Sequence, residues 1–333
     1  MNKKEDHLKI ISRRSLGLGL VATPILSGIA GAQSAYPTRT VSIVNPFAAG
    51  GQSDAVARFV ARQLQKALGH PFVVDNRSGA GSTIGTAFVA AAAPDGNTLV
   101  FGTTSTYVIA PYTYRTPGYD PVSSFSHITV AAEGPMVLCC SGKAGFKSAS
   151  ELVSAAKRAP NRVTYASAGN GTFPHLLGEM FARTAGIEMT HVPYRGGGPA
   201  MNDLVGGQVD LFFEAIVNVT GHAKEGLIVP LMTTGGERST LLPDVPTAAE
   251  LNYPTLNLLA WTGFSAPART QPAVIATLNR EITKALHDPE ATELFVRLGI
   301  TAVGGSPEDM SQRIARESAI YRNLIREAGL TSD

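Results

Sequence analysis

Phe47-Ala48-Ala49-Gly50-Gly51-Gln52-Ser53-Asp54 is a glycine turn between an apolar run (Val41, Ile43, Val44) and an amphipathic stretch that begins at Ser53. That order predicts a strand, a tight loop and a helix N-terminus, where unpaired N–H groups and the positive end of the helix dipole meet at one point. Glycines there let the main chain approach a ligand with no β-carbon in the way. The chemistry on offer is capture of a small anion. Nearly the same arrangement recurs at Tyr165-Ala166-Ser167-Ala168-Gly169-Asn170-Gly171-Thr172, after the short strand pattern Arg162, Val163, Thr164. The chain therefore presents two candidate anion cradles. A third strand-to-helix loop runs from His191 to Ala200 and sets Tyr194 and Arg195 beside three glycines. Arg195 either pairs with a distal ligand carboxylate or lies in solvent.

Each motif has a plainer reading. Ser and Asp after a glycine pair also suit an ordinary helix cap. Asp54 is read as a capping carboxylate that shapes its loop, since a second anion beside a bound carboxylate would repel it. The run from Asp75 to Gly85 carries three glycines, but the third comes one residue late for a dinucleotide fingerprint and follows the second strand of its series. It is read as a loop and helix start. His175 sits one turn into the helix after the second cradle, with no cysteine, activated serine or metal-spaced partner beside it, and suits capping or packing as well as a ligand. Asp210 and Glu214, four apart on a strand pattern, share one face. Glu214, nearer the strand's C-terminal end, is placed toward a cleft, with a salt bridge or surface position as the alternative.

Nucleophile-elbow, zincin, Walker and zinc-binding cysteine patterns are absent from the sequence. Neither a metal site nor a cofactor is expected. The two cysteines, Cys139 and Cys140, are adjacent in an apolar run, where successive strand residues point to opposite faces, so they are read as structural thiols.

Positioning these groups requires short β-like runs alternating with helical patterns, which points to an α/β fold with largely parallel sheets. Strands are predicted at 41–45, 72–75, 98–102, 163–167, 189–193, 209–213 and 228–233. Val56, Phe59, Val60, Leu64, Ala67 and Leu68 make one apolar stripe of a helix, with Arg58, Arg62 and Lys66 outside it. Further helices are predicted at 83–93, 271–298 and 306–328, and Ser148-Ala149-Ser150-Glu151 opens another with a capping-box pattern. The β-rich stretch 127–141 and a second at 258–266 read as two crossovers between lobes. The expected division is a discontinuous first lobe, 33–136 plus 260–333, with a second lobe, 137–259, inserted into it.

The 333 residues hold 28 Lys and Arg against 26 Asp and Glu. Five of those bases and two of those acids fall in residues 1–32, where a basic start precedes an apolar core (16–29) and Ala30-Gly31-Ala32. This is the pattern of a secretory signal cut near Ala32. Ser12-Arg13-Arg14 partly matches a twin-arginine signal and leaves the export route open. The remainder is close to neutral, which leaves no basic footprint for nucleic acid or a membrane surface. The apolar core is too short to span a bilayer, and no later segment is long enough.

In this order, the motifs resemble the Bug family of extracytoplasmic solute receptors, the binding components associated with tripartite tricarboxylate transporters. The resemblance is carried by Tyr36-Pro37, the Gly50-Gly51 loop, Asp75-Asn76-Arg77, Ala93-Pro94-Asp95-Gly96, Tyr119-Asp120-Pro121, Ser167-Ala168-Gly169-Asn170-Gly171, Val192-Pro193-Tyr194, Gly207-Gln208-Val209, Leu242-Pro243-Asp244-Val245-Pro246-Thr247 and Ala266-Pro267. It implies a two-lobed periplasmic binding protein of the Venus-flytrap, type II-like kind, enclosing a small organic acid or amino acid. Loops of both lobes would hold one carboxylate through backbone amides, short polar side chains and ordered water. Carried onto this chain, the expected contacts are Phe47, Ala49, Gly50, Gly51, Ser53 and Asp54 from the first loop. Ser167, Asn170, Gly171, Thr172 and His175 come from the second, with Thr103, Ser105, Tyr194 and Glu214 around them. Departures occur at Ala48 and Ala49, where the family often has proline, and at Ser53, where it often has threonine. Glu214 occupies a position that in the family varies with ligand type. The resemblance implies a non-enzymatic monomer that serves membrane permease subunits. A receptor for a membrane kinase, and a periplasmic hydrolase or lyase built on His175 or a loop serine, are the competing classes.

Overall fold

The computed structural model describes residues 36–330. The expected export signal and its cut near Ala32 lie outside the described residues.

Two sheets organise the chain. The first contains β1 (Val41–Asn45), β2 (Phe72–Asn76), β3 (Thr98–Thr103), β4 (Phe125–Gly134), β10 (Ala260–Pro267) and β11 (Thr301–Gly304), in the order β11-β4-β10-β3-β1-β2. The second contains β5 (Met136–Ser141), β6 (Thr164–Ser167), β7 (Thr190–Pro193), β8 (Leu211–Ala215) and β9 (Ile228–Thr233), in the order β7-β6-β8-β5-β9. Both sheets are mixed, which corrects the expectation of largely parallel ones. β1 is parallel to β2 and β3, and β6 to β7 and β8. β10 runs antiparallel to both β3 and β4, and β5 to both β8 and β9. The antiparallel strands flank the crossovers, where the chain enters or leaves a sheet in a direction no βαβ unit imposes.

Helices α1 (Gln52–Leu68), α2 (Thr83–Ala90) and α3 (Ala110–Thr113) belong to the first half of the chain, with a π-helical turn at Ser105–Ile109 leading into α3. α4 (Ala149–Arg158), α5 (Phe173–Ala185), α6 (Gly197–Gly206) and α7 (Ile216–Lys224) connect the strands of the second sheet. α8 (Pro272–Leu286), α9 (Pro289–Leu298) and α10 (Pro307–Glu327) follow β10. The stripe on α1 buries Val56, Phe59, Val60 and Leu64, and the helix stops at Gly69 in the left-handed region (φ 73°). At α4 the Ser148 side chain accepts from the Glu151 N–H, while the Glu151 carboxylate accepts from Lys147 rather than from Ser148. The single helix expected over 271–298 is two helices. Asp288 caps the second and Pro289 opens it, which proline favours at a first turn and forbids in a helix interior. The strand expected at 209–213 is β8, two residues later. Asp210 precedes it and accepts from the Thr164 N–H and hydroxyl (2.8 and 2.9 Å), so Asp210 is a structural brace while Glu214 is a strand residue.

Only Pro135 separates β4 from β5, so the first crossing is abrupt. There the Met136 N–H donates to Thr234 Oγ1 (2.9 Å) and the Thr234 N–H donates to the Met136 carbonyl (2.8 Å), so the outgoing and returning chains are joined. One hydrophobic cluster packs α1, α8 and α9 on the first sheet through Phe59, Phe101, Phe264 and Phe295. Another unites Leu138, Tyr165 and Phe181 with Tyr107, Trp261 and the α10 residues Met310, Ile314 and Tyr321. α10 thus bridges the two halves, with Tyr321 edge-on to Phe173 and the Arg183 guanidinium donating to the Glu327 carbonyl. Cys139 and Cys140 are both buried and unpaired, and burial raises both thiols. Among the described residues no helix is long and apolar enough to cross a membrane.

Candidate functional site

Four helices start at one cleft of about 700 Å³. It is lined by Gly51, Gln52 and Ser53 of α1, by Thr172, Phe173 and Pro174 of α5, by Gly196, Gly197 and Gly198 of α6, and by Ala215 and Val217 of α7. At none of these N-termini does the N-cap residue's own side chain accept from the helix, although Ser105 takes the first N–H of α5 and the Glu214 carboxylate takes the Ala215 N–H at the start of α7. The sequence explains why. Gly51, Gly196 and Ala215 have no group that could cap, and the Thr172 hydroxyl donates instead to the Gly169 carbonyl (2.6 Å). Uncapped N–H groups and four dipole ends favour an anion between them.

Among the described residues that line the cleft there is no lysine or arginine, and the one imidazole is that of His222. Its acids are Glu133, Glu214 and Glu225. Glu133 is committed to Arg313 (2.7 Å). An anion placed here would be held by main-chain dipoles and short polar groups rather than by a side-chain cation.

Of the residues named from sequence, Phe47, Ala49, Gly50, Gly51, Ser53, Thr103, Ser105, Thr172 and Glu214 line the cleft. Ser105 Oγ accepts from the Phe173 N–H (2.9 Å), joining the end of β3 to the start of α5. Thr103 Oγ1 is buried with no partner among the described residues. The other six are not among the lining residues. The Asp54 carboxylate accepts from the Gly50 N–H (3.0 Å), Arg58 (2.9 Å) and Asn76 (3.0 Å), so it braces the first loop from beneath. Burial opposes its ionisation, but the hydrogen bonds from Arg58, Gly50 and Asn76 hold it below the usual carboxylate range. The Asn170 carbonyl accepts from Tyr114 (3.0 Å), and the Gly171 N–H donates to His175 Nδ1 (3.3 Å). Tyr194 donates to Asp203 (2.8 Å). Ser167, fully buried, pairs with His191 Nε2 (2.7 Å) and with the Gly169 backbone.

His175 and His191 stack with ring centroids 3.8 Å apart and lie against Tyr165, whose hydroxyl donates to Glu179. The pair is the floor under the second loop. Burial, and for His175 also the neighbouring His191, hold both imidazoles well below their usual value. The unfolded chain would therefore take up protons that the folded chain refuses. Stability is then complete above the ordinary imidazole pKa of about 6.5 and falls as pH drops from there toward the folded value of about 4 at His191. Urea unfolding should show a loss of up to about 1.4 kcal/mol per pH unit for the buried His175. His127, also pushed down to about 4 by burial, adds the same sign, so His175→Gln should flatten the slope without abolishing it. An unaltered slope in that variant would remove the assignment.

Sequence reasoning did not single out Trp261, Thr262, Asn218 or Glu133, which also line the cleft. Of the third glycine loop, Gly196, Gly197 and Gly198 line the cleft, while Tyr194 and Arg195 are not among its lining residues.

A family described as "Tripartite tricarboxylate transporter family receptor" matches residues 56–330. The protein BugT of Bordetella pertussis is 36% identical over 306 residues, covering 91% of this chain and 94% of BugT. An R. palustris protein solved with adipate superposes with a TM-score of 0.85 at 33% identity, covering 89% of this chain and 99% of that one. MatC of Rhodopseudomonas palustris, solved with bound malate, gives 0.83 at 32% identity, with coverage of 87% and 100%.

Proposed function

The chain belongs to the tripartite tricarboxylate transporter receptor family, whose members are periplasmic solute-binding proteins, and we propose that it captures a small carboxylated metabolite in the cleft where α1, α5, α6 and α7 begin. The observation that carries this reading is the convergence of four helix N-termini, none capped by its own N-cap side chain, on a wall whose described residues include no lysine or arginine. Burying a carboxylate is tolerable only when its oxygens are fully hydrogen-bonded, and donors from both halves of the chain supply that together. The division that serves this reading, over the described residues, sets 36–136 plus 260–330 against 137–259, with β5 beginning one residue before the boundary, at Met136. Closure is favoured because only the closed form makes both sets of contacts with the anion.

The first loop contributes Phe47, Ala49, Gly50, Gly51 and Ser53, with Thr103, Ser105 and Thr172 across from it, while Asp54, Ser167, Asn170, Gly171, His175 and Tyr194 hold the loops in shape. The protein acts as a monomer, is exported by its N-terminal signal, and delivers its ligand to membrane permease subunits without chemical change. The Ser167–His191 contact lends the hydrolase alternative little, because both groups sit behind the wall, and the Ser167 hydroxyl is sequestered by its own loop.

Thermal-shift screening of the purified mature protein against mono-, di- and tricarboxylates, aromatic acids and amino acids tests the reading. A ligand at 100 times its Kd stabilises by about 2.7 kcal/mol, a readily measured shift. Stabilisation by at least one carboxylate, with the compound recovered unchanged, is expected. Turnover of the hit, or no stabilisation by any carboxylate, would refute the proposal.

A further inference from the structure

Glu214 lies at the C-terminal end of β8 and is 9% exposed, and its side chain forms part of the cleft wall. Oε1 is occupied: it accepts from the Ala215 N–H (2.7 Å) and from Asn218 Nδ2 (3.3 Å). Oε2 accepts no hydrogen bond among the described residues. It faces the first turn of α6, where a β-carbon on Gly197 would come within 2.5 Å of it. Glycine at 197 thus leaves room for the carboxylate at the cleft wall.

The charge balance around Glu214 is one-sided. Among the lining residues there is no lysine or arginine, Glu133 is paired with Arg313, and Glu225 is an exposed acid at the end of α7. Burial raises the Glu214 carboxyl above its usual range, opposed by the bonds from Ala215 and Asn218. A second ligand carboxylate placed against it would put two anions together in a poorly solvated space. A hydroxyl would satisfy Oε2 but leave its charge uncompensated. An ammonium group supplies both the donor and the opposite charge, and hydrogen bonds between charged partners are the stronger kind.

We propose that Glu214 is the specificity-determining residue of the cleft and that the ligand is an amino acid, its carboxylate held at the helix N-termini and its ammonium group on Glu214 Oε2. The proposal rests on the carboxylate-receptor reading above and narrows it to one class of ligand.

The test is calorimetric titration of the purified protein with matched series in which only one group changes. Aspartate, malate and succinate form one series, and glutamate, 2-hydroxyglutarate and glutarate a second. Leucine, 2-hydroxy-4-methylpentanoate and 4-methylpentanoate form the third. In at least one series the amino acid should bind roughly 10-fold or more tightly than both analogues. Glu214→Gln should erase that preference, bringing the amino acid within about 3-fold of its hydroxy and deaminated analogues. Gly197→Ala, which crowds the same oxygen, should reduce the preference and serves if Glu214→Gln does not fold. Binding that favours the hydroxy or deaminated member, or a preference that survives loss of the Glu214 charge, overturns this proposal and leaves the carboxylate receptor standing. Failure of every member of all three series to bind also overturns this proposal, and the carboxylate reading then stands or falls on the wider thermal-shift screen.

Discussion

Replacing Gly51 with valine is expected to weaken carboxylate binding by roughly 10- to 100-fold while leaving the protein folded. The reasoning begins with the backbone. Gly51 has φ −82° and ψ 177°, an extended conformation open to any residue, and a β-carbon built there meets nothing within 4 Å. Valine therefore costs the fold little. Its branched side chain would occupy space at the mouth of α1, where the proposed function sets the ligand's oxygens against main-chain N–H groups. Displacing one hydrogen bond to a charged group costs about 1.5–3 kcal/mol, which is the stated range of affinity. Gly50 next to it is different: its φ of +87° is strained for a side chain, so substitution there would mix misfolding with lost binding. Titration calorimetry with the ligand found by screening, alongside a melting curve, separates the two. Unchanged affinity in a folded Gly51→Val protein would contradict the cradle.

The second large effect is on stability. Trp261→Ala should destabilise the protein by about 3–5 kcal/mol, the range for removing a fully buried large aromatic. Trp261 is 1% exposed and stacks on Tyr107 at 5.4 Å with ring planes 5° apart. Its indole N–H donates to Glu317 (2.6 Å), and Arg313 lies over its ring while joining Glu317 to Glu133. One side chain therefore ties β10, β4, the π-helical turn and α10 together directly behind the cleft. Trp261→Phe keeps most of the apolar contact and loses the donor, so it should cost only about 1–2 kcal/mol. Urea unfolding of both variants checks the order. A Trp261→Ala protein within about 1 kcal/mol of the parent would show that the bridge carries little of the stability.

Local signals in the sequence were strong where chemistry and geometry are set by neighbours. The order of strand, glycine turn and amphipathic helix at 41–68 is legible because periodicity, Gly50 and Gly69 are adjacent in the chain. Strand direction at β10 was not, because antiparallel pairing of Phe264 with Phe101 and with Thr129 depends on a chain returning after more than 120 residues. The break at Pro289 was visible as a proline and was overridden by an apolar pattern that continues on both sides of it. In the site, glycine loops announced where helices start, but not which residues face inward. Asp54, Ser167 and His175 are polar residues in the right loops whose hydrogen bonds run away from the cleft. Glu133 and Trp261 carry no local motif, and their placement follows from Arg313 and Glu317, which lie far along the chain.

A cleft walled without lysine or arginine also sets the manner of capture. The electric field that greets an arriving anion comes from helix ends, weakens within a turn, and is largely sheltered from dissolved ions once the anion is seated. Encounter therefore proceeds by ordinary diffusion with little long-range guidance. On the proposed reading, affinity should therefore change little as salt is added.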